Sequence, residues 1–218
     1  QFHWGEGFSK VKPIDIPAAD FIVQVLRKYP REVVLFTVGP VPNIADVIQK
    51  DPEALRLAKQ IYSMFGSFYL GYGSSPVPSA EWNVAADVAS AKLFSATGAS
   101  VTYAGLDITT FVTLEEKQRT KLFMRQSPLT NALSGLYTLW SGDTGHETPV
   151  LYDVVAVSMA LWPELFKTRP AHVRVIDGGF TVIDESKAPN CEVGVSVNKD
   201  ELLRRVLMRL TRQNLGRW

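Results

Sequence analysis

Four consecutive apolar residues, Val33-Val34-Leu35-Phe36, constrain this fold more than any other stretch of the chain. A run without polar alternation belongs to a strand covered on both faces, as in a parallel sheet. Such strands need helical crossovers, and the flanking sequence supplies them. Residues 18–28 carry Phe21, Ile22, Val25 and Leu26 at helical spacing, and residues 43–50 restart a helix after the Gly39-Pro40 turn. A second short helix is expected over 52–60 and a strand over 61–65. Residues 66–79 are rich in Gly, Ser and Pro and read as a loop.

Beyond that loop the spacing predicts a helix over 84–97, a strand over 100–103, and helices over 114–126 and 128–140. An apolar helix follows over 149–161. Strands are expected over 173–176, 181–184 and 193–197, with Gly178-Gly179 turning a hairpin. A final helix over 200–211 turns Leu202, Leu203, Val206, Leu207 and Leu210 inward. Strand and helix alternate, so the fold class is α/β, a mainly parallel sheet flanked by helices with a small C-terminal hairpin and helix. The 218 residues suit a single domain, 1–218, with no internal repeat.

Composition narrows the function. A net charge of +1 gives no footprint for nucleic acid, and no apolar run is long enough to span a bilayer. The C-terminal arginines, among them Arg204, Arg205, Arg209, Arg212 and Arg217, read as a solvated helix face. One cysteine, Cys191, excludes an internal disulfide framework and fits a reducing, cytoplasmic compartment. P-loop, G-x-G-x-x-G and H-E-x-x-H motifs are absent. Gly142-Asp143-Thr144-Gly145 is read as a turn, and His146 and His172 as surface or loop residues.

Four clusters remain that can carry chemistry. Val38 to Ile44 follows a buried strand, where open α/β sheets place ligands, although Asn43 can equally be a helix N-cap there. Met64-Phe65-Gly66 ends another strand, and such a Met is usually core. Glu81-Trp82-Asn83 sets an acid and an amide two residues apart around an aromatic, a pattern able to grip a polyhydroxylated ligand. A solvated Glu and a turn Asn are the plain alternative. Tyr152-Asp153 opens the apolar helix, where Asp153 can be a first-turn acid or a hard oxygen ligand for a cation.

In order and spacing these clusters resemble the inosine-uridine-preferring nucleoside hydrolase family. The resemblance runs through Val38 to Ile44, Met64 to Gly66, Ala80 to Asn83, Gly105-Leu106-Asp107-Ile108-Thr109 and Tyr152 to Val157. It also takes in His3-Trp4-Gly5-Glu6-Gly7-Phe8. The resemblance implies hydrolysis of ribonucleosides to ribose and free base within purine or pyrimidine salvage. It implies a Ca²⁺ ion held by Asp153 and the Val38 carbonyl, with Glu81 and Asn83 on ribose hydroxyls and Met64 and Trp82 walling the sugar. Family relatives are commonly homodimers or homotetramers, so a homo-oligomer is expected. Tyr152 stands where the best-known branch has a His that protonates the leaving base. A phenol, with a reference pKa of about 10, is a poorer acid there. The family's opening Asp-x-Asp-x-x-x-Asp-Asp strand has no counterpart here, so the expectation is a member lacking its N-terminal strand and inactive by itself. The alternatives are a pseudoenzyme that binds ribosides or serves as an assembly subunit, and a glycosidase for another N-riboside.

Overall fold

The computed structural model describes residues 12–212; the His3 to Phe8 segment and Arg217 lie outside them. In chain order the elements are α1 (Ala18–Lys28), β1 (Val34–Thr37), α2 (Pro42–Lys50), β2 (Gln60–Met64), α3 (Trp82–Ala85), α4 (Val88–Ser95), β3 (Val101–Ala104) and α5 (Leu106–Thr109). There follow α6 (Glu116–Phe123), α7 (Pro128–Thr144), α8 (Tyr152–Leu161), β4 (Phe166–Ala171), β5 (Val173–Val175), β6 (Thr181–Ile183), β7 (Cys191–Val197) and α9 (Lys199–Thr211). They fall into two compact units, one of them built from Ile16–Val112 and Leu151–Asn198.

That unit holds a five-stranded sheet in the order β1-β2-β3-β7-β4. The first four strands are parallel, and β4 pairs antiparallel at the edge. Burial explains the apolar runs of the inner strands, where Ile61, Tyr103 and Val193 are almost fully enclosed. Val33 to Phe36 is only half-buried, not covered on both faces as expected, because β1 ends the strand order and pairs with β2 alone among the described residues. Tyr103 stacks on Phe65 at 5.0 Å, and Phe94 meets Phe65 edge-on at 5.6 Å. Phe36 and Tyr62, register partners on β1 and β2, stack at 5.9 Å. Because β1, β2 and β3 run in the same direction, Val38, Phe65-Gly66 and Gly105 all leave the sheet at one edge. The β5–β6 hairpin turns through Gly178 and Gly179, both with positive φ, as expected from the Gly-Gly pair.

The described residues of the other unit are 12–15, 113–150 and 199–212. Helix α7 opens with a capping box between Ser127 and Thr130 and ends at Gly145, whose φ of 70° places it in the left-handed region. Gly142, Asp143 and Thr144 are therefore the last helical residues of α7 rather than the turn expected there, and the helix runs four residues past the expected end at 140. Along α9, Leu202, Leu203 and Leu207 are buried and Arg204 is exposed, ion-paired to Glu201 at 2.6 Å.

Several elements depart from the sequence expectation. The helix expected over 52–60 is a single 3-10 turn, Ala54–Leu57, because Lys59 N already donates to Val33 O at 2.8 Å and commits the chain to the sheet. Asn43 is not the N-cap of α2; Val41 occupies that position, with Pro42 following. The helix expected over 84–97 is broken in two, since Asp87 accepts from Ser90 N at 3.0 Å and caps a new helix. Helix α8 begins at Tyr152 rather than 149, as Pro149 O instead accepts from Leu114 N at 2.9 Å. Strand β4 was not expected at all.

Candidate functional site

The loop 66–79 is built from its carboxylates and hydroxyls outward. Gly66 has φ 82°, a conformation that favours glycine, and a Cβ there would meet the Thr181 hydroxyl at 2.9 Å. Its freed N–H donates to Glu81 Oε2 at 3.1 Å. The other oxygen of that carboxylate accepts from Asn83 N at 2.9 Å, so Glu81 is also the N-cap of α3. Asn83 Nδ2 donates to Met64 O at 3.0 Å and lies 3.2 Å from its sulfur. The acid and the amide of the motif are thereby locked to the end of β2, with Glu81 2% and Asn83 7% exposed.

Asp107 secures the loop from the end of β3. Its carboxylate accepts from the consecutive N–H groups of Phe68, Tyr69 and Leu70 at 3.0, 2.6 and 3.0 Å. Gly105 makes room for this, because a Cβ there would meet Asp107 Oδ2 at 2.7 Å and the Phe68 ring at 2.8 Å. Thr181 on β6 closes the other side, accepting from Ser67 N and donating to Ser67 O, each at 2.9 Å. Farther along the loop, Tyr72 Oη accepts from Trp82 N at 2.8 Å. The Tyr72 ring meets the Tyr152 ring edge-on at 6.3 Å.

The electrostatics tie these groups to the start of α8. Burial raises the Glu81 carboxyl above the ordinary glutamate range; its backbone hydrogen bonds oppose that shift, and the charge of Asp153 reinforces it. Solvent reaches Asp153, yet protein atoms crowd it enough for desolvation to raise its carboxyl as well. Burial, and then the Glu81 charge, raise Tyr152, so its phenol stays protonated at neutral pH. Tyr72 is raised for the same leading reason. Cys191 is no nucleophile: burial pushes its thiol up to about 12, and it donates to Ala171 O at 3.4 Å.

Glu81, Asn83 and Met64 thus form one hydrogen-bonded group, with Asp153 and Tyr152 within electrostatic range of Glu81. Trp82 projects its indole into solvent, 71% exposed, and Val38 lies just past β1, also exposed. Asp153 is an acid in the first turn of α8, while Leu151 takes the N-cap position. His146 is exposed, and His172 Nδ1 lies 2.7 Å from Ala188 O. Sequence reasoning gave no role to Asp107, Tyr72 or Thr181. The signal for Asp107 was available, an acid two residues after a glycine at a strand end; that for Tyr72 and Thr181 was not.

A buried acid and amide at the carboxyl edge of a parallel sheet, within electrostatic range of a second acid, can bind vicinal hydroxyls and stabilise a developing positive charge. Among the described residues, no group of three or more His, Cys, Asp or Glu side chains is arranged to hold a metal ion. Calcium takes about six to eight oxygens. The Asp153 carboxylate and the Val38 carbonyl do not by themselves fit that demand.

The sequence profile described as inosine-uridine preferring nucleoside hydrolase matches residues 2–204. The chain is 30% identical over 198 residues to the non-specific ribonucleoside hydrolase RihC of Escherichia coli O127:H6, covering 86% of this chain and 63% of that protein. It is 29% identical over 182 residues to probable uridine nucleosidase 1 of Oryza sativa subsp. japonica, covering 80% and 56%. The chain therefore spans about three-fifths of the length of these relatives. Among solved structures, the purine-preferring ribonucleoside hydrolase from Gardnerella vaginalis superposes with a TM-score of 0.82 at 26% identity, covering 93% of this chain and 68% of that one. A plant nucleoside hydrolase shares the fold with a TM-score of 0.83 at 24% identity, covering 96% and 72%.

Proposed function

The chain belongs to the inosine-uridine preferring nucleoside hydrolase family, and we propose that it hydrolyses the N-glycosidic bond of ribonucleosides to ribose and free base. The observation that carries this reading is the Glu81–Asn83 pair, fastened to Gly66 and Met64 within electrostatic range of Asp153. Asn83 Oδ1 has no donor among the described residues and can accept from a sugar hydroxyl. Each Glu81 oxygen has one backbone partner and a further lone pair for a second donor.

Departure of the base leaves an oxocarbenium-like ribosyl cation, as in glycoside hydrolysis. The Glu81 carboxylate, held in place before the reaction begins, stabilises that charge without reorganising. Asp153 adds a second negative charge at the rim. Calcium is the cofactor that the family resemblance implies, and the described residues alone do not fit it. A role in nucleoside salvage and assembly as a homo-oligomer belong to the same reading.

A second reading is a riboside-binding protein without turnover. Incubation with inosine and uridine, with and without added calcium, separates the two. Release of both reducing sugar and free base supports hydrolysis. Saturable binding with no release supports the second reading, and neither binding nor release overturns both.

A further inference from the structure

Resting on the nucleoside hydrolase reading, we infer that Tyr72 is a leaving-group residue, whose hydroxyl donates a hydrogen bond to the departing base. Three observations converge on it. The Tyr72 hydroxyl stands 2.8 Å from the backbone N–H of Trp82, the residue between the two proposed ribose ligands. That contact uses the hydroxyl as acceptor, and among the described residues its proton has no acceptor. The ring, 41% exposed, stands edge-on to Tyr152 at 6.3 Å, so the two phenols form one aromatic pair.

The loop is shaped to hold that position. Gly73 and Ser74 have φ of 62° and 64°, and only the glycine adopts such a value at little cost. Ser74 is kept there by a tight turn in which Gly71 N donates to Ser75 O at 2.8 Å and Ser75 N to Tyr72 O at 3.2 Å. Tyr72 N further donates to Ser79 Oγ at 3.3 Å. A side chain that merely filled space at a solvent-exposed loop tip would need none of these restraints.

In the step itself, a water oxygen bonds to C1′ while the C1′–N bond breaks and its electron pair leaves on the base nitrogen. The surplus proton of the water passes to solvent, and the base nitrogen takes its proton from solvent. Tyr72 keeps its own proton throughout; its hydrogen bond spreads the negative charge that gathers on the base. The residue therefore matters in proportion to how poor the leaving group is.

The test compares Tyr72→Phe with the unaltered protein on uridine, inosine and p-nitrophenyl riboside, whose nitrophenolate departs as a stable anion. The expected result is a fall in kcat of roughly 10-fold on both nucleosides, the scale of one hydrogen bond to a charged group, with the nitrophenyl substrate unchanged. The thermal midpoint should stay level, since the variant keeps the ring and exposes Trp82 N to water. Equal activity on all three substrates, or an equal fall on all three, overturns the inference and leaves the function reading standing. An unaltered protein that cleaves none of them removes the function reading, and this inference with it.

Discussion

Two carboxylates within electrostatic range of each other, Glu81 and Asp153, are held in opposite ways. Glu81 is buried and accepts a backbone hydrogen bond on each oxygen, from Gly66 and Asn83. Asp153 is open to solvent, and among the described residues nothing hydrogen-bonds or ion-pairs with it. Asp107, 6% exposed, carries the first pattern further, with three backbone donors on one carboxylate. The difference teaches where structural and chemical duties lie. Glu81 and Asp107 are part of the scaffold's hydrogen-bond accounting, whereas Asp153 is retained with its charge unanswered beside another acid. In the proposed function that unpartnered acid is free to meet a ligand.

Removing Asp153 separates the two carboxylates by the largest effect. In the intact protein, Asp153→Ala should lower nucleoside turnover about 1,000-fold or more, the scale of losing a charge aimed at the transition state. Unfolding in urea should change by no more than about 0.5 kcal/mol, as at a surface site without partners. A large loss of stability with turnover preserved would invert the assignment of duties.

Asp107→Ala should show the reverse weighting. Three backbone N–H groups lose their acceptor, and leaving buried donors unpaired costs about 1–3 kcal/mol each where water cannot reach them. Since Tyr69 and Leu70 are less buried than Phe68, a total of about 3–5 kcal/mol is expected, read as a lowered urea midpoint. Nucleoside affinity should weaken with it, because loop 66–79 leads directly into Glu81. Asp107→Asn, which keeps one oxygen acceptor, should recover part of the stability. An unchanged midpoint in the alanine variant would show that the loop does not depend on this anchor.

How far this arrangement was legible in the sequence depends on chain separation. The parallel pairing of β1, β2 and β3 followed from apolar runs alternating with helical spacing, whereas the place of β7 beside β3 left no local mark. Strand β4 left none: Lys167, Arg169 and Pro170 interrupt it, and an antiparallel edge tolerates them because one side needs no partner. Likewise Glu81 and Asn83 were visible as a pair because they share one turn of chain. The Asp107 bonds span 37 to 39 residues and the Thr181–Ser67 pair spans 114, distances that no local pattern reports. The break at Asp87 was missed for a subtler reason. Residues 84–97 have good helical composition throughout, and only the Asp87–Ser90 cap divides them.

The smallest expected effect concerns the charge on Glu81 itself and separates its two duties. In Glu81→Gln one oxygen is replaced by an amide nitrogen, so one backbone N–H loses its acceptor at a cost of about 1–2 kcal/mol. Against this, the variant no longer buries a charge. The sign follows from the direction of the shift: burial raises the folded-state carboxyl above its unfolded value. That contribution to stability is fully present below the unfolded value and is lost as pH rises through the folded one. The unaltered protein should therefore lose stability relative to Glu81→Gln as pH climbs from the ordinary glutamate range toward neutrality. Urea midpoints of both proteins, measured in steps from acid to neutral pH, read that relative slope directly. A flat difference across the series would mean that Glu81 is solvated as well as Asp153 is, and the contrast between the two carboxylates would then rest on hydrogen bonds alone.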